Sequence, residues 1–143
     1  MPFSFEQLGP KVRLCVSPQH KFGTDAFLLS AFAKPRRKDR VCDLCAGCGI
    51  VGALWFRREE DTPKWVQAVE LQDQAVAQME ETLRAGGLPR DRFFPIQGDL
   101  RQPQGLLEPM SVDLVTCNPP YREQGGGILS AQQSDQIARH ETM

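Results

Sequence analysis

No stretch of about 18 consecutive apolar residues occurs in the chain, so no membrane-spanning helix is expected. Nor is there a surplus of charge, since 17 Lys and Arg stand against 18 Asp and Glu for a formal net charge of −1. The molecule as a whole therefore does not attract nucleic acid, and any such binding needs a local basic patch. The opening MPFSFEQLGP has neither the charged region nor the apolar core of a secretory leader. Five cysteines cannot all pair, and they are not spread as a disulfide framework. Thiols kept reduced in the cytoplasm are expected. Repeats and long low-complexity tracts are missing as well. What remains is a 143-residue chain, 41% hydrophobic and 24% charged, of a size and make-up suited to one globular domain with one core.

Residues 11–16 (KVRLCV) place Val12, Leu14 and Val16 on one face, the period of a strand. After a turn over 18–23, Thr24 is expected to cap a helix whose apolar face carries Phe27, Leu28, Ala31 and Phe32. The connector 34–40 (KPRRKDR) is basic: Lys34, Arg36, Arg37, Lys38 and Arg40 serve either as a solvated linker or as phosphate contacts. From residue 41 the pattern alternates. Strands are expected over 41–44, 65–71, 93–97 and 112–117, and helices over 50–58 and 73–85. The second helix has Val76, Met79 and Leu83 at helical spacing and stops at Gly86 and Gly87.

This alternation predicts an α/β, Rossmann-like, doubly wound and mostly parallel sheet with its ligand at the carboxyl ends of the strands. The expected organisation is a strand, turn and helix extension over 1–40 and a partial Rossmann-like domain over 41–143. Four strands are few for this architecture, and the last would lie at an edge. The chain is therefore expected to be incomplete, with a glycine joint at 125–127 and a helix begun over 130–141.

The run RVCDLCAGCGIVG (40–52) sets two chemistries against each other. Cys42, Cys45 and Cys48 have the C-x2-C-x2-C spacing of an iron–sulfur run, but the fourth cysteine of that pattern is missing. Cys42 also falls inside a predicted strand, which cannot wrap one metal; no metal is expected, and small buried thiols are. The glycines fare better. Gly47, Gly49 and Gly52 match G-x-G-x-x-G, with a strand before, a helix after and Glu70 ending the next strand. Glycine lets ligand atoms approach the backbone, and a carboxylate at Glu70 can accept from both hydroxyls of a ribose. Nicotinamide dinucleotides and S-adenosyl-L-methionine both suit this layout.

Asp43-x-Cys45-Ala46-Gly47-Cys48-Gly49 resembles the Asp-x-Gly-x-Gly-x-Gly motif of class I methyltransferases, with Cys45 at the first glycine. The resemblance implies S-adenosyl-L-methionine as cofactor, with Asp43 orienting the turn and the methionine ammonium. Cys45 would narrow the methionine end of the pocket, and Asp99 would accept from the adenine amino group. Leu71 and Leu100, beside those acids, complete the implied set. CNPPY (117–121) resembles the Asn-Pro-Pro-Tyr motif of methyltransferases acting on planar nitrogens, which implies catalytic roles for Asn118, Pro119, Pro120 and Tyr121. Such a nitrogen is a poor nucleophile because its lone pair is delocalised. Acceptors from Asn118 and the Pro119 carbonyl would favour a pyramidal nitrogen, proline would stiffen the loop, and Tyr121 would stack on the target ring.

Over nearly the whole chain, HKFGTDAFLLSAFA, VCDLCAGCGIVGALW, NPPY and the terminal IARHE are similar to bacterial tRNA adenine-N6 methyltransferases that act beside the anticodon of a valine tRNA. That similarity implies a tRNA partner, Thr24 and Asp25 lining the cofactor pocket, and Arg139 and His140 near the RNA. Release-factor glutamine methyltransferases share the tetrapeptide and give the alternative substrate. A non-catalytic RNA-binding remnant is the further alternative, and the incompleteness expected above implies weak activity or none.

Overall fold

The computed structural model describes residues 3–57, 62–99, 101 and 112–119. The chain opens with an antiparallel hairpin, β1 (Ser4–Gln7) and β2 (Arg13–Val16), followed by α1 (Thr24–Ala33). Then come β3 (Arg40–Leu44), α2 (Ile50–Trp55), β4 (Trp65–Glu70), α3 (Asp73–Ala85), β5 (Phe93–Gln97) and β6 (Leu114–Cys117). The last four strands form a parallel sheet in the order β5-β4-β3-β6, which is the α/β Rossmann-like arrangement expected from the alternation. Strand β3 is central, with Leu44 opposite both Val69 of β4 and Cys117 of β6.

Valine, alanine and phenylalanine make the sheet face against which the helices pack: Val41, Val66, Ala68 and Phe93 belong to one buried cluster with Val51, Leu54 and Met79. Val12, just before β2, Leu14 and Val16 of β2 and Ala26 of α1 belong to that same cluster. The hairpin is held to α3 by polar groups that the amphipathic pattern alone does not show. Cys15 N–H donates to Thr82 Oγ1 at 2.9 Å, and Gln78, with no exposed surface, donates to the carbonyls of Cys15 and His20 at 3.2 and 2.9 Å. Ser17 Oγ donates back to Gln78 Oε1 at 2.7 Å, so this buried amide is satisfied on both sides. Beyond α3, a side chain on Gly86 would place its Cβ 2.0 Å from the Arg13 carbonyl oxygen, and Arg13 N–H donates to the Gly86 carbonyl at 2.8 Å.

Several expectations need correction. Strand β1 was not foreseen, because SFEQ has little strand character alone and is recruited by pairing with β2. Gly23, not Thr24, is the N-cap of α1, and no side chain bonds across that cap. The buried side of α1 is not the bulky stripe either: Phe27, Leu28 and Phe32 are 37%, 66% and 86% exposed. The helix buries Ala26 and Ser30, small residues that let it lie close on α2. There Ser30 Oγ donates to the Val51 carbonyl at 3.2 Å, and Trp55 Nε1 donates to the Ser30 carbonyl at 3.0 Å. Helix α2 ends at Trp55 rather than 58, and the strands expected over 65–71 and 112–117 are shorter, Trp65–Glu70 and Leu114–Cys117.

The basic connector enters β3 at its amino end, away from the carboxyl ends of the strands. Two of its cations face acids: Arg40 forms a forked pair with Asp113 at 3.1 and 3.2 Å, and Arg36 lies 3.6 Å from Asp39. Among the described residues no helix is long and apolar enough to cross a membrane.

Candidate functional site

The parallel sheet brings the ends of β3, β4, β5 and β6 to one edge, and the predicted residues sort along it. Asp43, Cys45, Gly47 and Gly49 lie on β3 and its turn into α2, Glu70 ends β4, Asp99 follows β5, and Asn118 and Pro119 follow β6. The turn cannot be built from ordinary backbone. Cys45, Gly47 and Gly49 have φ of 55, 59 and 89°, in the left-handed region. A Cβ on Gly47 would meet nothing within 4 Å, so the turn is open on that side.

Two carboxylates frame the turn. Glu70, 9% exposed, accepts from Gly47 N–H at 2.8 Å through Oε1 and from Gln72 N–H at 3.0 Å through Oε2. It therefore fixes the turn and begins α3 at once. Ala46 N–H adds a bond to the Val69 carbonyl at 3.0 Å. Asp43 is 1% exposed; its Oδ1 accepts from Thr116 Oγ1 at 2.8 Å, and its Oδ2 has no partner. Burial pushes the Asp43 carboxyl up to about 7, against the pull of the Thr116 hydroxyl and with the help of the nearby Glu70 charge.

Because the same carboxyl ionises near 3.8 when unfolded, the folded chain holds the extra proton across the interval up to about 7. Stability from this group is therefore greatest at low pH and falls as pH rises through that interval. Thermal melts should show a decline in Tm from pH 4 to 7 that is shallower in Asp43→Asn. Equal slopes would remove Asp43 as its source.

The remaining candidates are placed unevenly. Leu71 lines an open cleft of about 760 Å³ between the turn at 18–20 and residues 71–74, a size suited to a small-molecule ligand. Asp99 is engaged by Arg101, whose guanidinium reaches both carboxylate oxygens at 2.7–3.1 Å and holds the acid below its ordinary range. Thr24 and Asp25 begin α1 and are exposed, and Asp25 Oδ1 accepts from Ala26 N–H at 3.1 Å. The segment just before them touches the turn, with Cys48 Sγ 3.9 Å from the Lys21 carbonyl. Asn118 and Pro119 are half-buried. Leu100, Pro120, Tyr121, Arg139 and His140 lie outside the described residues. Of the turn cysteines, Cys42 and Cys48 are buried and Cys45 is half-buried. Among the described residues no three His, Cys, Asp or Glu side chains are placed to hold a metal ion.

Sequence reasoning missed Thr116, and it foresaw the turn at 18–20 but not its place beside the cleft. The β3–β6 register sets Thr116 opposite Asp43, and no local pattern announces it. The turn reaches the cleft through Ser17 and Gln78, which are 61 residues apart.

An orphaned buried carboxylate oxygen, a backbone turn open at Gly47 and a carboxylate at the next strand end fit S-adenosyl-L-methionine. That molecule carries an ammonium, a ribose diol and an adenine, and needs an acceptor for each. The family model described as the methyltransferase small domain matches residues 20–136. A tRNA1(Val) (adenine(37)-N6)-methyltransferase of Haemophilus influenzae is 30% identical over 138 residues, covering 96% of this chain and 56% of that protein. The protein of the same name from Tolumonas auensis is 32% identical, covering 96% of this chain and 54% of its own length. The chain thus spans about half the length of the curated relatives it matches. Among solved structures, the Pyrococcus abyssi tRNA (uracil-54, C5)-methyltransferase in complex with S-adenosyl-L-homocysteine superposes with a TM-score of 0.61 at 15% identity, over 95% of this chain and 33% of that one. The M. jannaschii tRNA m1G37 methyltransferase gives 0.57 at 17% identity, over 70% and 31%. These two likenesses concern the fold.

Proposed function

Since the chain belongs to the methyltransferase small domain family, we propose that it transfers a methyl group from S-adenosyl-L-methionine to the exocyclic N6 amine of an adenosine in tRNA, the one beside the anticodon of a valine tRNA. The reaction belongs in the cytoplasm, with its substrate. The observation that carries the reading is the convergence of Asp43, Gly47, Glu70 and Asn118 at one edge of the sheet, in a chain whose relatives bear that name.

S-adenosyl-L-methionine supplies an electrophilic methyl group on a sulfonium. The chain's own residues bind and orient. Asp43 offers its unpartnered Oδ2 to the ammonium, directly or through a water. Glu70 has lone pairs left for the ribose hydroxyls after its two backbone bonds. Leu71 and Pro18 offer apolar contact for the base in a cleft otherwise lined by polar side chains, Gln19, His20, Gln72, Asp73 and Gln74. Asn118 and the Pro119 carbonyl accept from the target amine, so its lone pair is directed rather than delocalised. Catalysis is then positioning and preorganised polarity, with no strong base, because the methylated amine sheds its proton readily.

The test is transfer of radiolabelled methyl to unmodified valine tRNA, followed by nuclease digestion and identification of N6-methyladenosine. Label in that nucleoside is the expected result. Label in a release factor but not in tRNA overturns the substrate, and transfer to neither overturns the activity. Asn118→Ala is expected to lower kcat roughly 100-fold, the usual cost of removing one preorganised polar contact, with cofactor affinity little changed. An equal loss in both quantities would place Asn118 in cofactor binding instead.

A further inference from the structure

Cys45 and Cys117 meet at the junction of the cofactor turn and the catalytic strand. Leu44 and Cys117 are paired across β3 and β6, so their side chains point to one face of the sheet. An extended residue at 45 would point to the other face. The positive φ of Cys45, 55°, breaks that alternation. Cys117 is the neighbour that acts most strongly on the Cys45 thiol. Cys45 follows Leu44, the register partner of Cys117, so the two cysteines are near neighbours across adjacent strands, which run about 4.8 Å apart. Both residues are half-buried, whereas Cys15, Cys42 and Cys48 are buried. Among the described cysteines, therefore, the pair with neighbouring sulfurs is also the accessible one.

We propose that Cys45 and Cys117 form a thiol-oxidation site, in which a hydroperoxide converts them to a disulfide that closes the cofactor turn onto the catalytic strand. One thiolate of the pair attacks an oxygen of hydrogen peroxide; the O–O bond breaks, and the departing hydroxide takes up a proton to leave as water. The sulfenic acid so formed is attacked by the second sulfur; the S–S bond forms, the S–O bond breaks, and the hydroxyl leaves with the second thiol's proton as another water. Two thiols lose two electrons and two protons, and one peroxide becomes two waters.

The hydrogen bond to Cys117, burial and the charges of Glu70 and Asp43 all hold the Cys45 thiol well above its ordinary range. The reaction is therefore slow at neutral pH and faster in alkali. Its effect follows from position. Cys45 sits between Asp43 and Gly47, and Cys117 directly precedes Asn118, so the bond ties the glycine turn to the strand that carries Asn118. Linkage then requires that bound cofactor disfavour the disulfide by the same factor by which the disulfide weakens the cofactor.

The reduced 143-residue chain is treated with hydrogen peroxide and alkylated, and its peptides are sequenced by mass spectrometry. S-adenosyl-L-homocysteine binding is measured by calorimetry before oxidation, after it, and after dithiothreitol. The expected result is a Cys45–Cys117 disulfide, an affinity lowered about tenfold, and recovery on reduction. Cys117→Ser, compared with its own untreated state, should show no loss on peroxide treatment. In the unmodified chain, saturating S-adenosyl-L-homocysteine should slow formation of the disulfide, a measurement that needs no variant to fold. Oxidation that leaves these two thiols unlinked overturns the proposal, and so does a disulfide without effect on affinity. None of these readouts involves tRNA, so their failure leaves the substrate reading untouched.

Discussion

Glu70→Ala should weaken S-adenosyl-L-methionine binding by roughly 100-fold or more and lower the melting temperature as well. The two effects come from one carboxylate facing two ways. Toward the chain, its oxygens satisfy Gly47 N–H and Gln72 N–H, and the residue is only 9% exposed. Alanine leaves both donors without their partner, at about 1–3 kcal/mol for each group that stays buried. Toward the ligand, the same oxygens are the acceptors proposed for the ribose hydroxyls, and charged hydrogen bonds of that kind contribute about 1.5–3 kcal/mol apiece. Glu70→Gln separates the contributions. It keeps one acceptor for the backbone, so it should recover much of the stability while affinity stays well below the unmodified chain. Calorimetry and thermal melts on the two variants decide. If both bind as the unmodified chain does, Glu70 is only a structural tie.

The largest loss of stability is expected for Phe93→Ala, about 3–5 kcal/mol, seen as a fall in Tm of roughly 10–20 °C. Phe93 is 1% exposed and stands edge-on to Phe56 with ring centroids 6.4 Å apart. It also fills the space that two glycines leave. A Cβ on Gly52 would lie 2.9 Å from Phe93 Cε2, and one on Gly49 would lie 3.2 Å from Phe93 Cζ. Removing the ring therefore opens a cavity directly beneath the glycine turn. Gly52→Ala should be destabilising alone and partly relieved by Phe93→Leu, and a double-mutant cycle on urea unfolding measures that coupling. Strict additivity of the two changes would contradict the contact.

Phe93 and the glycines show how far the sequence could be read. The spacing of Gly47, Gly49 and Gly52 announces a turn, and the acid that ends the next strand, Glu70, marks the same end of the sheet, because both depend on local backbone chemistry. The second task of Gly49 and Gly52, making room for a ring about 40 residues away, is invisible until the sheet is assembled. The same holds for Thr116, which matters only because of its register with Asp43. Helix α1 is the clearest failure. Its large apolar residues suggest the inward face, but the helix buries Ala26 and Ser30, and the bonds to α2 run through Ser30, where closeness counts more than side-chain area. Hydrophobic size is a weak guide to facing when a helix packs on another helix through small residues.

Strand β6 has a consequence for how the molecule is assembled in time. It pairs among the described residues with β3 alone, and the bonds that seat it, Arg40 to Asp113 and Asp43 to Thr116, each join positions 73 residues apart. Strands β3 and β4 are joined by a much shorter connection and close their loop at a smaller entropic cost. Nucleation therefore favours the half of the sheet that carries the glycine turn and Glu70, and β6 zips on afterwards. The order of assembly is also the order of resistance to local opening. Amide protons of β6 are placed to exchange through sub-global openings that leave β3 and β4 protected, which gives Asn118 a faster clock than the glycine turn after β3.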